Sequence, residues 1–217
     1  MPLRAALVLA LVIAGCDPSE PAPPPSEPPP EPPPVGNQCA RADYPDWRTS
    51  DYVLPYPVGR VYPVLQGNCG SFSHVEGGNL VFSYDFTMRI GEVVTASRAG
   101  TVIWLEERYQ DGDNTPGHEN GVIVQHADGT AAYYVHFTRN GARVELDEAV
   151  ARGDTLGFSG NTGFSTKPHL HFAVYERPCD GGPCTPLPTT FSNAGANATG
   201  LQQGRAYAAL PYGPGAP

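Results

Sequence analysis

The chain has 217 residues and a net charge of −9. That length is enough for one packed domain with additional segments. The acidity argues against a nucleic-acid partner, which would need clustered Lys and Arg against phosphates, and is read as a solubility feature. Glycine and proline stand at 25 each, which fits a turn-rich β domain with one proline-rich linker.

Residues 1–15 read as an export signal. Arg4 supplies a positive start, and Ala5 to Gly15 is an apolar run of eleven residues, too short to cross a bilayer as a helix. Val12 to Cys16 places small residues ahead of a cysteine, which resembles a bacterial lipobox. The resemblance implies cleavage before Cys16, acyl chains on that cysteine, and a protein anchored to a membrane of the cell envelope and facing the periplasm. The alternative is an ordinary secretory peptide with an incidental cysteine. Residues 16–36 are the lipidated cysteine and a tether. Eleven of the nineteen residues from Asp17 to Val35 are proline, so this stretch favours extended polyproline II and would reach about 50–60 Å.

Residues 37–63 are expected to be an irregular lead-in, packed onto the domain through Tyr44, Trp47, Tyr52, Tyr56 and Tyr62. The domain proper is expected over 64–192. Residues 79–86 read as a strand, with Leu80, Phe82, Tyr84 and Phe86 on one face and Val81, Ser83 and Asp85 on the other. Strands follow over 93–96 and 100–104, then a long polar loop over 106–120 that holds His118. Residues 121–126 and 131–137 form a hairpin about Asp128 and Gly129. Residues 153–158 are a further strand, and 159–163 lead to a last one. No stretch sustains a 3.6-residue apolar period. The expected fold is therefore mainly β, an antiparallel β-sandwich or barrel-like domain with long surface loops. Residues 193–217, rich in Ala, Gly and Pro, are expected to trail along the surface.

Besides Cys16 there are four cysteines: Cys39, Cys69, Cys179 and Cys184. An even number in an exported chain suggests two disulfides, with three possible pairings. Cys179 with Cys184 is preferred because Asp180 to Pro183 is a tight turn, which leaves Cys39 with Cys69. A zinc site built from these thiols would lack a CxxC spacing.

Chemistry concentrates at Lys167 to Phe172. His169 and His171 stand two apart in a β run and so share a face, while Leu170, Phe172 and Val174 point the other way. His136 lies in a second β run, and His74 precedes the strand that carries Asp85. A catalytic zinc takes three protein ligands and keeps one position open. Imidazole and carboxylate suit it, and water bound there ionises near neutral pH.

Four segments occur in order: His74 with Asp85 between Tyr84 and Phe86; Gly100 to Val102; His126 to Thr130 leading to Tyr134, Val135, His136 and Phe137; and Gly157 to Gly163 followed by His169 to Phe172. Together they resemble the lysostaphin and LytM group of zinc metallopeptidases, which cleave peptide bonds in peptidoglycan. The resemblance implies one zinc ion held by His74, Asp85 and His171. It implies that His136 and His169 are the catalytic pair beside the reacting carbonyl, and that peptidoglycan peptide is the substrate. A monomer is expected. One spacing departs from the pattern: eleven positions separate His74 from Asp85, where many members have four. His118 is the substitute ligand if His74 does not reach. His126 is expected to be structural. A competing reading is a catalytically inactive wall-binding relative that activates an amidase. Such relatives typically lose ligands, whereas every position is filled here. A carboxypeptidase reading would need a glutamate base, and neither Glu76 nor Glu176 stands in that arrangement.

Overall fold

The computed structural model describes residues 38–179 and 184–213; the expected signal, the lipobox cysteine Cys16 and the whole of the tether lie outside them. Two antiparallel sheets make up the domain. The larger has eight strands in the order β11-β1-β2-β10-β6-β5-β4-β8, and the smaller has the order β3-β9-β7. Their ranges are β1 Val61–Gln66, β2 Tyr84–Phe86, β3 Val93–Thr95, β4 Gly100–Glu106, β5 Gly121–Gln125 and β6 Ala131–Val135. The remainder are β7 Phe137–Ala142, β8 Ala149–Val150, β9 Thr155–Ser159, β10 Leu170–Tyr175 and β11 Ala206–Ala208. No α-helix occurs among the described residues. The mainly-β, antiparallel expectation holds, and so does the β5–β6 hairpin, which turns at Gly129 with φ 89°, a conformation glycine adopts without strain.

The core is aromatic. Tyr56, Tyr84, Phe86, Tyr134, Phe172 and Phe191 are all buried in one cluster. Alternation on β2 and β10 explains the site directly. Tyr84 and Phe86, with Leu170, Phe172 and Val174, enter that core, so Asp85 and His171 between them face the opposite side.

Three expectations need correction. The strand expected over 79–86 is only Tyr84–Phe86. Residues 79–82 form turns, and Val81 is buried by the chain folding back, its carbonyl accepting from the Cys69 N–H at 2.7 Å. Apolar content there reflects loop packing rather than strand pairing. The lead-in does not stop at 63, because β1 runs from Val61 to Gln66. Pro63, which lacks a donor, disguised it; the residue lies opposite Ala206 and just before the irregular pairing of β1 with β2 between Val64 and Gln66, the kind of break in a ladder that admits proline. Of the stretch 193–217, the described residues 193–213 do not simply trail along the surface. Ala206–Ala208 pairs with β1, and Leu201, Tyr207 and Ala209 belong to the core. The expected lead-in packing holds for Tyr56 and Tyr62, which are both core residues.

Both expected disulfides are present, Cys39 with Cys69 and Cys179 with Cys184.

Candidate metal centre

The site begins as a row across the large sheet. Gln66 on β1 is opposite Asp85 on β2; Asp85 is opposite His171 on β10; His171 is opposite Val135 on β6. Neighbouring strands lie about 4.7–4.9 Å apart, so residues in one row on one face must meet. A register shift between Val64 and Gln66 brings Gln66 into line, as a bulge does when it re-aims a side chain. His171 Nδ1 and Asp85 Oδ1 are 2.8 Å apart.

His74 joins this row from the loop after β1. It is fully buried, and its Nδ1 donates to the Gly67 carbonyl at 3.1 Å. That bond places the proton on Nδ1, because a carbonyl can only accept. Nε2 is left with a lone pair, 3.5 Å from Asp85 Oδ1, and it has no hydrogen-bond partner. A buried, unpartnered imidazole nitrogen beside a carboxylate is costly unless something electropositive occupies the space between them. One ligand atom each from His74, Asp85 and His171 lie within 4.8 Å of one another. The donor set and the orphaned nitrogen both fit a divalent cation. The eleven-residue spacing is therefore bridged. His118, the substitute, is engaged elsewhere: it hydrogen-bonds Asp113 at 2.9 Å and stacks on Tyr109.

Burial pushes the Asp85 carboxyl up, but the His171 and His74 imidazoles outweigh it and hold the group well below the usual carboxylate range. Its other oxygen, Oδ2, accepts from Gln66 Nε2 at 3.0 Å. The same Gln66 nitrogen donates to Ser73 Oγ at 2.7 Å, and Gln66 Oε1 accepts from the Ser73 N–H at 3.0 Å. Gln66 thus ties the carboxylate to the residue next to His74. Sequence reasoning missed it; a polar residue closing an alternating run was the only available signal.

His136 and His169 stand at the seam of the two sheets. His136 is the single residue between β6 and β7, with φ 69°, a conformation uncommon for a side chain this size. His169 bridges Gly160, which follows β9, and precedes β10. The two ring centroids are 4.5 Å apart. Each ring is fixed the same way: Nδ1 of His136 donates to the Thr162 carbonyl at 2.7 Å, and Nδ1 of His169 to the Lys167 carbonyl at 2.8 Å. Each Nε2 therefore carries a lone pair. That of His169 is 3.7 Å from Asp85 Oδ1. Burial, reinforced by the neighbouring imidazoles His169 and His171, lowers His136 to about 3, and burial lowers His169 too. Both are neutral at pH 7.

The loop that supplies Thr162 and Lys167 is itself clamped by the long loop before β5. Asp111 Oδ1 accepts from Asn161 N–H at 2.6 Å, Asp113 Oδ1 from Gly163 N–H at 3.2 Å, and Glu119 Oε1 from Phe164 N–H at 3.1 Å. Asp85, His136, His169 and His171 line one cleft of about 480 Å³, whose mouth carries the exposed Phe72 and Phe164. His126 lies outside that lining, donating to the Ala99 carbonyl at 2.8 Å and packing on Tyr52; its Nε2 is also buried without a partner, but His126 is not in the one cluster of converging ligand atoms found among the described residues.

Residues 82–186 match Peptidase family M23. The match covers just under half of the chain, which over that stretch is similar to M23 peptidases. Its relatives include the peptidoglycan DD-endopeptidase ShyA of Vibrio cholerae, 36% identical over 93 residues, which are 43% of this chain and 20% of ShyA. The glycyl-glycine endopeptidase ALE-1 of Staphylococcus capitis is 28% identical over 161 residues, 73% of this chain and 38% of that protein. The chain therefore spans well under half the length of either. Among solved structures, the catalytic domain of lysostaphin from Staphylococcus simulans aligns with a TM-score of 0.40 and 26% identity, covering 63% of this chain and 84% of that one. Gln66 and His74 precede the stretch matched to M23, so their place in the site rests on geometry alone.

Proposed function

We propose that the chain is a zinc-dependent endopeptidase that hydrolyses peptide bonds in peptidoglycan stem peptides or cross-links. The observation that carries this reading is the convergence of an orphaned His74 Nε2 with Asp85 and His171, beside two neutral imidazoles whose lone pairs face the same cleft. The match of residues 82–186 to M23 and the printed activities of ShyA and ALE-1 support the substrate class. A cross-link between D-Ala and diaminopimelate is the bond we favour, in line with the DD-endopeptidase relative. The N-terminal sequence supports a lipid anchor on Cys16 and a place in the cell envelope.

His74, Asp85 and His171 would hold the ion, whose role is to polarise the peptide carbonyl and make water acidic enough to attack at neutral pH. Binding it requires the His171 nitrogen that faces Asp85 to present a lone pair rather than a proton. His136 and His169 do the rest. Being neutral, either Nε2 can accept a proton from the attacking water and pass it to the leaving amine. When protonated, the same ring donates a hydrogen bond to the developing oxyanion. The Thr162 and Lys167 carbonyls keep each ring in the tautomer that this work needs.

Digestion of purified peptidoglycan, with and without a chelator, tests the proposal. New amino termini should appear, vanish with chelator and return with zinc. Cleavage that survives complete metal removal would reject the zinc reading, and no cleavage by metal-loaded protein would reject the endopeptidase.

A further inference from the structure

Positive charge on this acidic chain has an uneven placement. Lysine occurs once in 217 residues, at Lys167. That side chain is exposed and lines the catalytic cleft; it also lines a second cavity of about 800 Å³. The two cavities therefore meet at Lys167. Arg60 and Arg89 line the second cavity, with Glu92 as its one carboxylate. Glu92 is already engaged, by the Tyr62 hydroxyl and by the Arg89 N–H at 3.4 Å. Among the described residues, none of the ion pairs involves Lys167, Arg60 or Arg89.

Three unpaired cations around one engaged carboxylate invert the sign of a protein whose net charge is −9. Like charges gathered in a concavity repel, and the arrangement raises the local concentration of anions. The base of Lys167 is rigid. Its carbonyl accepts from His169 Nδ1 at 2.8 Å and from Ser165 Oγ at 3.0 Å, and Pro168 restricts its backbone further. The ammonium is thus delivered from a fixed point two residues before His169.

We propose that this second cavity is a carboxylate-binding subsite. Lys167, with Arg60 and Arg89 beyond it, holds a free carboxylate of the peptide substrate while the scissile bond lies in the catalytic cleft. The enzyme thereby prefers stem peptides with free side-chain or terminal carboxylates over amidated ones. This proposal rests on the peptidase reading.

The test uses two cross-linked stem-peptide fragments that differ only in having free carboxylates or carboxamides. The full chain loaded with zinc should show a KM roughly fivefold lower for the free acid, the upper end of what an exposed charge pair supplies. The preference should shrink as salt is raised. Lys167→Met and Arg89→Met should each move the KM ratio towards one, and acetylation of the single lysine should reproduce Lys167→Met. A wild-type ratio of one, or a ratio unchanged in both variants, overturns the subsite. If the wild type cuts neither fragment, it is the peptidase reading that fails. Fluorescence anisotropy of the same labelled fragments then decides the subsite: tighter wild-type binding of the free acid, lost in Lys167→Met, supports it, and equal binding overturns it.

Discussion

Gln66→Ala is the most informative single change. The side chain is buried, donates to Asp85 Oδ2 at 3.0 Å, and makes two hydrogen bonds with Ser73. No other side chain donates to that carboxylate oxygen among the described residues. A buried hydrogen bond to a charged group contributes about 1.5–3 kcal/mol. If that loss falls on the bound state, it corresponds to roughly ten- to hundredfold in metal affinity, the range typical of groups that orient ligands. The loop with His74 also loses its tie to β1, so the metal-free protein should lose about 2 kcal/mol, or roughly 4–8 °C in Tm. Zinc affinity is measured by competition with a chromophoric chelator, and Tm by calorimetry without metal. Gln66→Met separates volume from polarity: it should match Gln66→Ala in zinc affinity while losing less stability. If both variants bind zinc as the wild type does, Gln66 is packing only, and the account of how His74 and Asp85 are aligned fails.

Other outcomes follow from the same geometry. His171→Ala should abolish zinc binding and cleavage, whereas His169→Ala should keep most of the zinc and lose cleavage; equal zinc loss in both would refute the division of roles. Metal-free protein should become less stable in acid through His136 and His169. Their folded pKa values lie below the unfolded 6.5, so the unfolded chain takes up protons first. The stability they contribute is complete above about pH 6.5 and falls as pH drops below it, for His136 down to about 3, at up to about 1.4 kcal/mol per pH unit for each ring. A urea midpoint that stays flat from pH 7.5 to pH 4.5 would contradict this. Replacing both Cys39 and Cys69 by Ser releases a link of sequence separation 30, worth about 3–4 kcal/mol in the chain-entropy account. A Tm drop should follow, and an unchanged Tm would refute it.

Much of the site was legible in the sequence because it lies in short β runs, where period two fixes facing. His169 and His171 shared a face, as did Tyr84 and Phe86 opposite Asp85, and the structure keeps both relations. His136 was legible by its place in the ordered motif. What escaped was non-local. His74 reaches the row only because its loop is pinned by Gly67 and Gln66, and loop trajectories leave no periodic trace. Residues 79–82 misled because apolar content does not distinguish a strand from a turn buried by its neighbours. Strands β1 and β11 escaped because each is identified by the other: a short edge pair with a proline in it is visible only once both partners are placed.

The position of His136 carries one further consequence. The chain passes from the large sheet to the small one through this single residue, while its ring is held by a carbonyl on the far side of the crease. Any slippage between the layers must therefore drag the imidazole with it. Mild heat or denaturant should silence the protein before tyrosine fluorescence or circular dichroism registers loss of either sheet, making turnover itself the earliest gauge of how the layers are seated.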